Sequence, residues 1–186
     1  KFAKIIESST KRLSYLINDF LTASRLKSGK FDIEKGEADL KSMLKSECAS
    51  LEDQFDAKGV KLSLSIDKAI PKMNLDEQKL RQVMMNLMDN ALHYTDKDGT
   101  VSVKLKQDGK SVVFEVKDNG IGVPKADQPE LFSKMFRAGD AKQMRPDGTG
   151  LGLYLAKKVV MGHHGHIIFE SKEGEGSTFG FRIPIK

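Results

Sequence analysis

Apolar residues recur every three or four positions along several stretches of the chain, and this spacing predicts helices. The predicted helices cover residues 1–28, 40–58, 80–95 and 151–160. A short helix is also predicted from Glu130 to Phe136, and residues 137–146, which have little apolar content, are predicted as a loop. The first helix has the 4-3-4-3 apolar spacing of a bundle helix, so it requires partner helices to cover its apolar face.

Alternating apolar and polar residues predict strands between these helices. The predicted strands are Phe31 to Ile33, Val60 to Ile66, Val101 to Leu105, Val112 to Val116, His166 to Ser171 and Thr178 to Ile185. Asp108-Gly109 is a hairpin signal between two of them, and a turn is predicted from Glu173 to Gly176. Strands and helices in this order predict an α/β fold in which helices cover one face of a mixed β-sheet.

A polar stripe on the 80–95 helix interrupts its otherwise ordinary amphipathic pattern. Asn86 and Asn90 are four residues apart and therefore neighbours on one face, with His93 one turn further on. Asparagine is unfavourable inside helices because its amide competes for backbone hydrogen bonds. The pair is either a hydrogen-bonded polar spot at the edge of the core or a site for Mg²⁺, which amide oxygens can ligate without adding negative charge beside a polyphosphate.

Composition excludes several classes of protein. The 186 residues are 39% hydrophobic and 31% charged, as in soluble globular domains. No apolar run approaches the roughly 18 residues of a membrane span, and Lys1 opens directly on an amphipathic pattern, so neither membrane contact nor a signal peptide is expected. The net charge of +5 comes from scattered basic residues, which favours anionic ligands without indicating nucleic acid. The single cysteine, Cys48, excludes an internal disulfide and fits the reducing cytoplasm.

Asp118-Asn-Gly-Ile-Gly122 directly follows a predicted strand. The simplest interpretation of this segment is a turn. The alternative is a binding site in which Asp118 accepts a hydrogen bond from the exocyclic amine of adenine. The glycines of the segment allow a base to approach the backbone closely.

A second glycine segment, Gly148-Thr-Gly-Leu-Gly152, opens the 151–160 helix. Exposed amides at a helix start, together with the helix dipole, can bind a phosphate. Neither the Walker lysine pattern nor the dinucleotide spacing is present. A third segment, Gly174-x-Gly176-x-Thr178, precedes the last strand.

Taken together, these segments resemble the histidine-kinase branch of the ATPase superfamily shared with gyrase, heat-shock chaperones and mismatch-repair ATPases. Residues 1–29 resemble the second helix of the dimerisation and histidine-phosphotransfer hairpin, because Arg25-Leu26-x-x-Gly29 is similar to its usual ending. Residues 30–186 resemble the catalytic ATP-binding domain. That resemblance implies a two-layer sandwich of a mixed β-sheet and three main helices, preceded by the long bundle helix.

The resemblance also implies roles for individual residues. Asn90 is expected to ligate Mg²⁺, and Asn86 to support the metal and the phosphates of ATP. Tyr94 is expected to pack near the adenine and Asp118 to hydrogen-bond it. Thr178 is expected to lie near the base. Gly120 and Gly122 are expected to shape the adenine pocket.

Leu131-Phe132-x-x-x-Phe136-Arg137 is similar to the phenylalanine box of the family. The resemblance implies that Arg137 reaches the phosphates and acts with Asn86 in catalysis. It further implies that Arg137 to Gly148 forms a mobile ATP lid, with Arg145 as a second phosphate contact. The expected phosphate cradle consists of Gly148, Thr149, Gly150, Leu151 and Gly152.

Two positions depart from the family pattern. His93 stands where lysine is usual, so a weaker or pH-dependent ATP affinity is expected. After the 151–160 helix, Gly165-His166 replaces the usual glycine pair. His163, His164 and His166 could suggest a metal cluster, but the end of a helix, where histidine suits the dipole, is the simpler interpretation.

The phosphoaccepting histidine of the family, which lies on the first hairpin helix before an acidic residue, has no match here. All four histidines fall within 30–186. The resemblance therefore implies that the chain binds Mg-ATP and donates the γ-phosphoryl group to a histidine outside it, for relay to an aspartate of a response regulator. It also implies a homodimer formed through the hairpin in the intact protein.

Two other functions remain open at the level of sequence. A hydrolytic ATPase of the chaperone or gyrase kind is one, but those relatives carry a water-activating glutamate where this chain has Asn86. The other is a degenerate kinase domain that binds nucleotide or a partner without catalysis. The glycines and both asparagines disfavour it, whereas His93 leaves it possible.

Overall fold

The structure is a computed structural model that describes residues 32–139, 144–145 and 148–185. The predicted bundle helix over 1–28 lies outside these residues. The described elements are β1 (Gly36–Ala38), α1 (Leu40–Lys58), β2 (Lys61–Ile66), β3 (Met73–Leu75), α2 (Glu77–Tyr94), β4 (Thr100–Asp108), β5 (Ser111–Asp118), a 3₁₀ turn (Gln128–Glu130), α3 (Gly152–Gly162), β6 (His166–Lys172) and β7 (Gly176–Pro184).

The main sheet has five strands in the order β2-β4-β5-β7-β6. The β2 strand runs parallel to β4, and the other neighbours are antiparallel, so the sheet is mixed as predicted. A separate pair joins β1 to β3. The α-helices of the described residues pack on one face of the main sheet, and the predicted α/β fold is confirmed.

The core lies between this sheet face and the helices. In β4, Val101, Val103 and Leu105 alternate inward and are buried, whereas the residues between them face outward, as expected for a sheet covered on one side. In α2 the predicted apolar stripe is buried in full: Leu80, Val83, Met84, Leu87, Met88 and Ala91. Burying each of the larger side chains is worth about 1.5–3 kcal/mol.

Aspartates begin the first two helices. Asp39 caps α1 by accepting from the backbone N–H groups of Lys41 and Ser42, and Asp76 caps α2 by accepting from that of Lys79. Each cap satisfies amides that have no acceptor inside the helix. The α1 helix has its predicted bounds and ends at Gly59, whose φ is 71°. The α2 helix begins three residues earlier than the predicted start, directly after its aspartate.

Two hairpins also match the sequence. Asp108 pairs with Ser111 across a two-residue turn, where Gly109 has a φ of 59°, which suits glycine in this type of turn. The turn between β6 and β7 spans 173–175, with Gly174 at a φ of 76°.

Three local predictions are wrong. Residues 32–35 are not a strand. The first strand lies at Gly36–Ala38 and is defined by its pairing with β3; its three residues are too few for an alternating pattern to reveal it. The helix predicted from Glu130 to Phe136 is a 3₁₀ turn over Gln128–Glu130 followed by turns, and the positive φ of Met135, 61°, is incompatible with a helix. Within the predicted loop over 137–146, Gly139 and Met144 are helical.

Candidate functional site

The start of α3 lies directly against Asn86 of α2. A Cβ atom at position 152 would be 2.3 Å from Asn86 Oδ1 and 2.8 Å from Asn86 Nδ2, so only glycine fits there. Leu151 precedes α3 without providing a side-chain cap, and the first turn contains no acidic residue. The first amides of α3 therefore point out of the helix with the positive end of its dipole, an arrangement that attracts anions.

The amide nitrogen of Asn86 has no hydrogen-bond acceptor among the described residues, although it is buried. An unsatisfied buried donor costs about 1–3 kcal/mol. Its position beside an uncapped helix start identifies this point as one where an oxygen-rich ligand would be stabilised.

Asn90, the second residue of the predicted metal site, faces an arginine. Its Oδ1 accepts a hydrogen bond from Arg145 Nη1 at 3.3 Å, and Arg145 Nη2 lies 2.8 Å from Asp89 Oδ2. Burial raises the pKa of Asp89, but the hydrogen bond from His93 and the charge of Arg145 outweigh it, so the pKa is lowered overall. Asp89 was not identified in the sequence, because it lies between the two asparagines and belongs to no recognised motif.

His93 is turned toward Asp89. Its Nδ1 is 2.8 Å from the Asp89 carbonyl oxygen and 3.3 Å from Asp89 Oδ1. His93 and Arg145 therefore contact different oxygens of the Asp89 carboxylate. His93 is linked to the site through Asp89, in contrast to the direct phosphate contact that the lysine of the family pattern suggests.

Arg137 and Arg145 are adjacent. The guanidinium of Arg137 donates to the carbonyl oxygen of Arg145, and a Cβ atom at Gly148 would be 3.3 Å from Arg137 Cζ. Tyr94 lies in the same surroundings: burial raises its pKa, although the charges of both arginines oppose the change. The structure thus brings together both asparagines, both arginines, Tyr94 and the glycine segment.

Asp118 forms a second part of the site at the end of β5. It is buried, and its Oδ1 accepts from the backbone N–H of Gly120 at 2.9 Å and of Ser177 at 3.1 Å. Burial raises the pKa of Asp118 more than the backbone N–H groups of Gly120, Ser177 and Asp118 itself lower it. Within the described residues Oδ2 accepts no hydrogen bond, so this oxygen remains available to a ligand donor.

Two glycines hold the segment after Asp118 in place. A Cβ atom at Gly120 would lie 2.0 Å from the carbonyl oxygen of Tyr94, and one at Gly122 would lie 2.0 Å from that of Lys172. Ile121 N–H donates to the Tyr94 carbonyl at 3.1 Å. The segment is therefore clamped between the end of α2 and the β6–β7 turn, as expected for a pocket wall.

Thr178 does not face this pocket. It pairs with Lys117, the neighbour of Asp118, so alternation places it on the opposite face of the sheet. Ser177, one residue earlier, is buried and provides the N–H that binds Asp118. Its hydroxyl is 2.8 Å from that of Ser171, which also accepts from Val123 N–H. In the sequence, Ser177 alternates with the apolar Phe179 and Phe181, and this alternation was the signal that Ser177, rather than Thr178, lies on the face of Asp118.

The phenylalanine-box segment is attached to the glycine segment of α3. Met135 N–H donates to the Gly150 carbonyl at 3.1 Å, and a Cβ atom at Gly150 would be 2.8 Å from Met135 C. Phe132 packs edge-to-face on Phe169 with ring centroids 5.8 Å apart. The turn-rich segment before Arg137 is thereby fixed relative to the start of α3.

The histidines after α3 do not form a metal site. The described ranges contain no group of three or more His, Cys, Asp or Glu side chains placed to hold a metal ion. His163 ends α3 and is buried, with Nε2 accepting from Asp76 N–H at 2.9 Å. Its position at the helix end is as expected, but burial lowers its pKa, so the ring is favoured in its neutral form.

Comparison with known proteins places this site in a family. The family model described as histidine kinase-, DNA gyrase B- and HSP90-like ATPase matches residues 75–186. The circadian input-output histidine kinase CikA of Synechococcus elongatus is 33% identical over 186 residues, which cover 99% of this chain and 25% of CikA. The chain therefore spans about a quarter of the length of this curated relative. No helix of the described residues is long and apolar enough to cross a membrane.

Solved structures agree with this comparison. Full-length ShkA in complex with AMPPNP matches with a TM-score of 0.80 and 25% identity, over 99% of this chain and 38% of ShkA. The histidine kinase ThkA in complex with the response regulator TrrA matches in fold with a TM-score of 0.73 and 21% identity, over 100% of this chain and 51% of ThkA. This chain belongs to the histidine kinase-, DNA gyrase B- and HSP90-like ATPase family, and the relatives that it matches along nearly its whole length are histidine kinases.

Proposed function

We propose that this chain binds Mg-ATP between α2 and α3 and, within the whole protein, donates the γ-phosphoryl group to a histidine outside the chain. A response-regulator aspartate then receives the group. One observation carries the proposal: the amide nitrogen of Asn86 is buried, has no hydrogen-bond partner in the part of the chain that the structure describes, and lies against the uncapped start of α3. These groups match the acceptor oxygens of a polyphosphate.

The donor set fits a magnesium nucleotide. Asn90 and Asn86 are the proposed metal ligands, since Mg²⁺ prefers oxygen ligands and is commonly held together with substrate phosphates. When bound, the metal would neutralise phosphate charge. Arg137 and Arg145 are proposed to add positive charge around the γ-phosphate, because phosphoryl transfer depends mainly on positioning and electrostatic stabilisation.

The adenine is proposed to bind beside Asp118. The unbonded Oδ2 is the acceptor for the exocyclic amine of the base, which guanine replaces with a carbonyl. Tyr94, Gly120 and Gly122 complete this part of the pocket. Ser177, which is buried and whose N–H binds Asp118, is proposed to lie near the base in place of Thr178.

The proposed partners follow from the relatives. ThkA has been solved with the response regulator TrrA, and ShkA with AMPPNP, which supports a response regulator and an adenine nucleotide for this chain. We further propose that the intact protein is a homodimer through the helical hairpin, with 1–29 as its second helix and 30–186 as the catalytic domain. The single cysteine supports a cytoplasmic reaction.

Hydrolysis is not proposed for this site. An amide at position 86 cannot accept a proton from water, in contrast to the glutamate that gyrase-like and chaperone-like relatives place there. The chain is therefore expected to retain ATP until an acceptor histidine is presented.

Phosphoryl transfer distinguishes this proposal from a non-catalytic module. Incubated alone with Mg-ATP labelled in the γ-phosphate, the chain is expected to acquire no acid-labile phosphohistidine, because its four histidines lie in the ATP-binding part. The full-length protein, or the chain mixed with a fragment that supplies the first hairpin helix, should become labelled and should pass the label to the regulator. Label on His163, His164 or His166 of the isolated chain, or none on the full-length protein, contradicts the proposal.

A further inference from the structure

A buried hydrogen bond joins the beginning of α2 to the end of α3. His163 is only 2% exposed, and its Nε2 accepts from the backbone N–H of Asp76 at 2.9 Å. Because Nε2 is the acceptor, the ring proton must lie on Nδ1, which contacts the Val159 carbonyl oxygen at 2.8 Å. Both ring nitrogens are thus satisfied by backbone groups, one on each helix.

Asp76 is itself a junction of several segments. As the cap of α2, it accepts from Lys79 N–H through Oδ1 at 3.0 Å and pairs with Lys79 Nζ through Oδ2 at 2.6 Å. Its Oδ2 also accepts from Glu34 N–H at 3.0 Å. The side chain of Asp76 thus binds groups near the start of α2, while its backbone N–H donates to His163.

The junction and the site lie at opposite ends of the contact between α2 and α3. Asp76, at the start of α2, meets His163, at the end of α3, while Asn86 meets Gly152 at the start of α3. Asp76 and Asn86 are separated by about 15 Å along α2, and Gly152 and His163 by about 16 Å along α3, at 1.5 Å per residue. The two helices therefore lie antiparallel, and two contacts join them that are separated by nearly the same distance along each helix.

We propose that His163 is a positioning residue for nucleotide binding: by accepting the Asp76 N–H, it sets the register of α2 against α3 and hence the approach of Asn86 to the start of α3. The inference rests on the proposed function of that site. Histidine suits the position because its ring extends far enough to bond both helices at once. A shorter amide can bond only its own helix.

Two amide variants separate this role from simple packing. His163→Gln places an acceptor near the position of Nε2 and retains the bond to Asp76, whereas His163→Asn reaches only the position of Nδ1. Leu62→Ala, on the edge strand β2 and only partly buried, is the control for lost stability away from the junction. All three are compared with the parent chain by calorimetric titration with Mg-ATP, at a temperature where each is folded.

His163→Asn is expected to bind Mg-ATP about fivefold or more weakly, the lower range of typical coupling between sites. His163→Gln and Leu62→Ala should retain the affinity of the parent. Equal affinity of the parent and His163→Asn overturns the inference, as does a His163→Gln variant as weak as His163→Asn. A parent that binds no Mg-ATP refutes the proposed function. In that case the inference is tested without nucleotide, by the NMR chemical shift of the Gly152 amide in the parent and in His163→Asn. An identical shift in the two chains overturns the inference as well.

A pH profile provides the test if His163→Asn does not fold. Burial is the main cause of the lowered pKa of His163; Lys35 and Lys79 lower it further, while the bond to Val159 and the charge of Asp76 raise it. Protonation would make both ring nitrogens donors and break the bond to Asp76. As the pH falls from about 7 to about 5, past the ordinary pKa of ~6.5, parent affinity should fall more steeply than that of His163→Gln. Parallel profiles overturn the inference.

Discussion

Asn86 and Gly152 are in contact across the α2–α3 interface, and the amide of Asn86 lies where a side chain at position 152 would begin. This contact couples the polar stripe of α2 to the amides of α3. It explains why a glycine opens α3, where a better helix former would otherwise be favoured.

Gly152→Ala is expected to destabilise the chain by about 1–3 kcal/mol, as overpacked substitutions do, and to weaken ATP binding. Adding Asn86→Ala should recover part of the stability, because it removes the atoms that the new Cβ would strike. Urea denaturation of the two single variants and the double variant measures this coupling. Gly36→Ala, where a Cβ atom meets nothing within 4 Å, is the matched control. If the losses in the free energy of unfolding of the two single variants simply add in the double variant, Asn86 does not contact position 152.

Asp118→Asn is expected to reduce selectivity for ATP over GTP. The variant amide can use its oxygen for the N–H groups of Gly120 and Ser177, which leaves an NH₂ group facing the amine of adenine. Losing a hydrogen bond to a charged acceptor costs about 1.5–3 kcal/mol, so ATP affinity should fall by about tenfold or more. Asp108→Asn, at an exposed carboxylate, is the control. Unchanged discrimination between ATP and GTP would remove Asp118 from the adenine site.

His93→Lys is expected to tighten ATP binding. A lysine at this position can pair with Asp89, which now bonds both His93 and Arg145, and so release Arg145 toward the phosphates. The gain should be largest at low ionic strength, because the pair is partly exposed. Calorimetry at two salt concentrations measures it, with His166→Lys, on an exposed residue of β6, as control. A weaker or unchanged affinity contradicts the proposed link through Asp89.

His163 should make folding stability depend on pH. Its pKa is lowered in the folded chain from an ordinary unfolded value of ~6.5, so the unfolded chain binds more protons as the pH falls. The stabilisation is fully present above the unfolded pKa and is lost as the pH falls through the folded pKa. Urea denaturation between about pH 7.5 and pH 5 should show this loss in the parent and not in His163→Gln. Equal pH dependence of the two chains would show that the ring does not titrate with folding.

His164→Gly is expected to stabilise the end of α3. His164 has a φ of 60°, and its N–H and that of Gly165 bond back to Met161 and Val160, as in a Schellman motif. Relief of the left-handed strain, about 1–2 kcal/mol for residues with a side chain, should exceed the entropic cost of glycine. Thermal denaturation checks the change, and a lower melting temperature would contradict it. His163→Gly, at an ordinary φ of −92°, should destabilise instead.

Local sequence patterns were sufficient for the elements that hold the site. The apolar stripe of α2 was predicted from spacing alone, because it is set by helix geometry, and Asn86 and Asn90 followed from the same periodicity. The glycine segment before α3 was also recognisable, because glycines directly before a helix are a local signal for a phosphate-binding turn.

Features that depend on distant or exact pairing were not predictable. The hydrogen bond from Asp76 to His163 joins residues 87 positions apart, and no periodicity relates them. Thr178 was expected near the base, whereas Ser177 provides the N–H that binds Asp118; a shift of one residue reverses the face of a strand. The positive φ of Met135 is supported by its bond to Gly150, which no pattern within the segment reveals.

The most direct test of the central claim is the Mg²⁺ dependence of ATP binding to the parent, Asn90→Ala and Asn74→Ala. Asn74, exposed in β3, is a control of the same residue type. The parent and Asn74→Ala should bind ATP with Mg²⁺ and lose affinity with a chelator, whereas Asn90→Ala should bind at least about tenfold more weakly, a difference of 1.4 kcal/mol, and respond little to Mg²⁺. ATP binding by Asn90→Ala with the affinity and Mg²⁺ dependence of the parent would contradict the assignment of the nucleotide site to the asparagine face of α2.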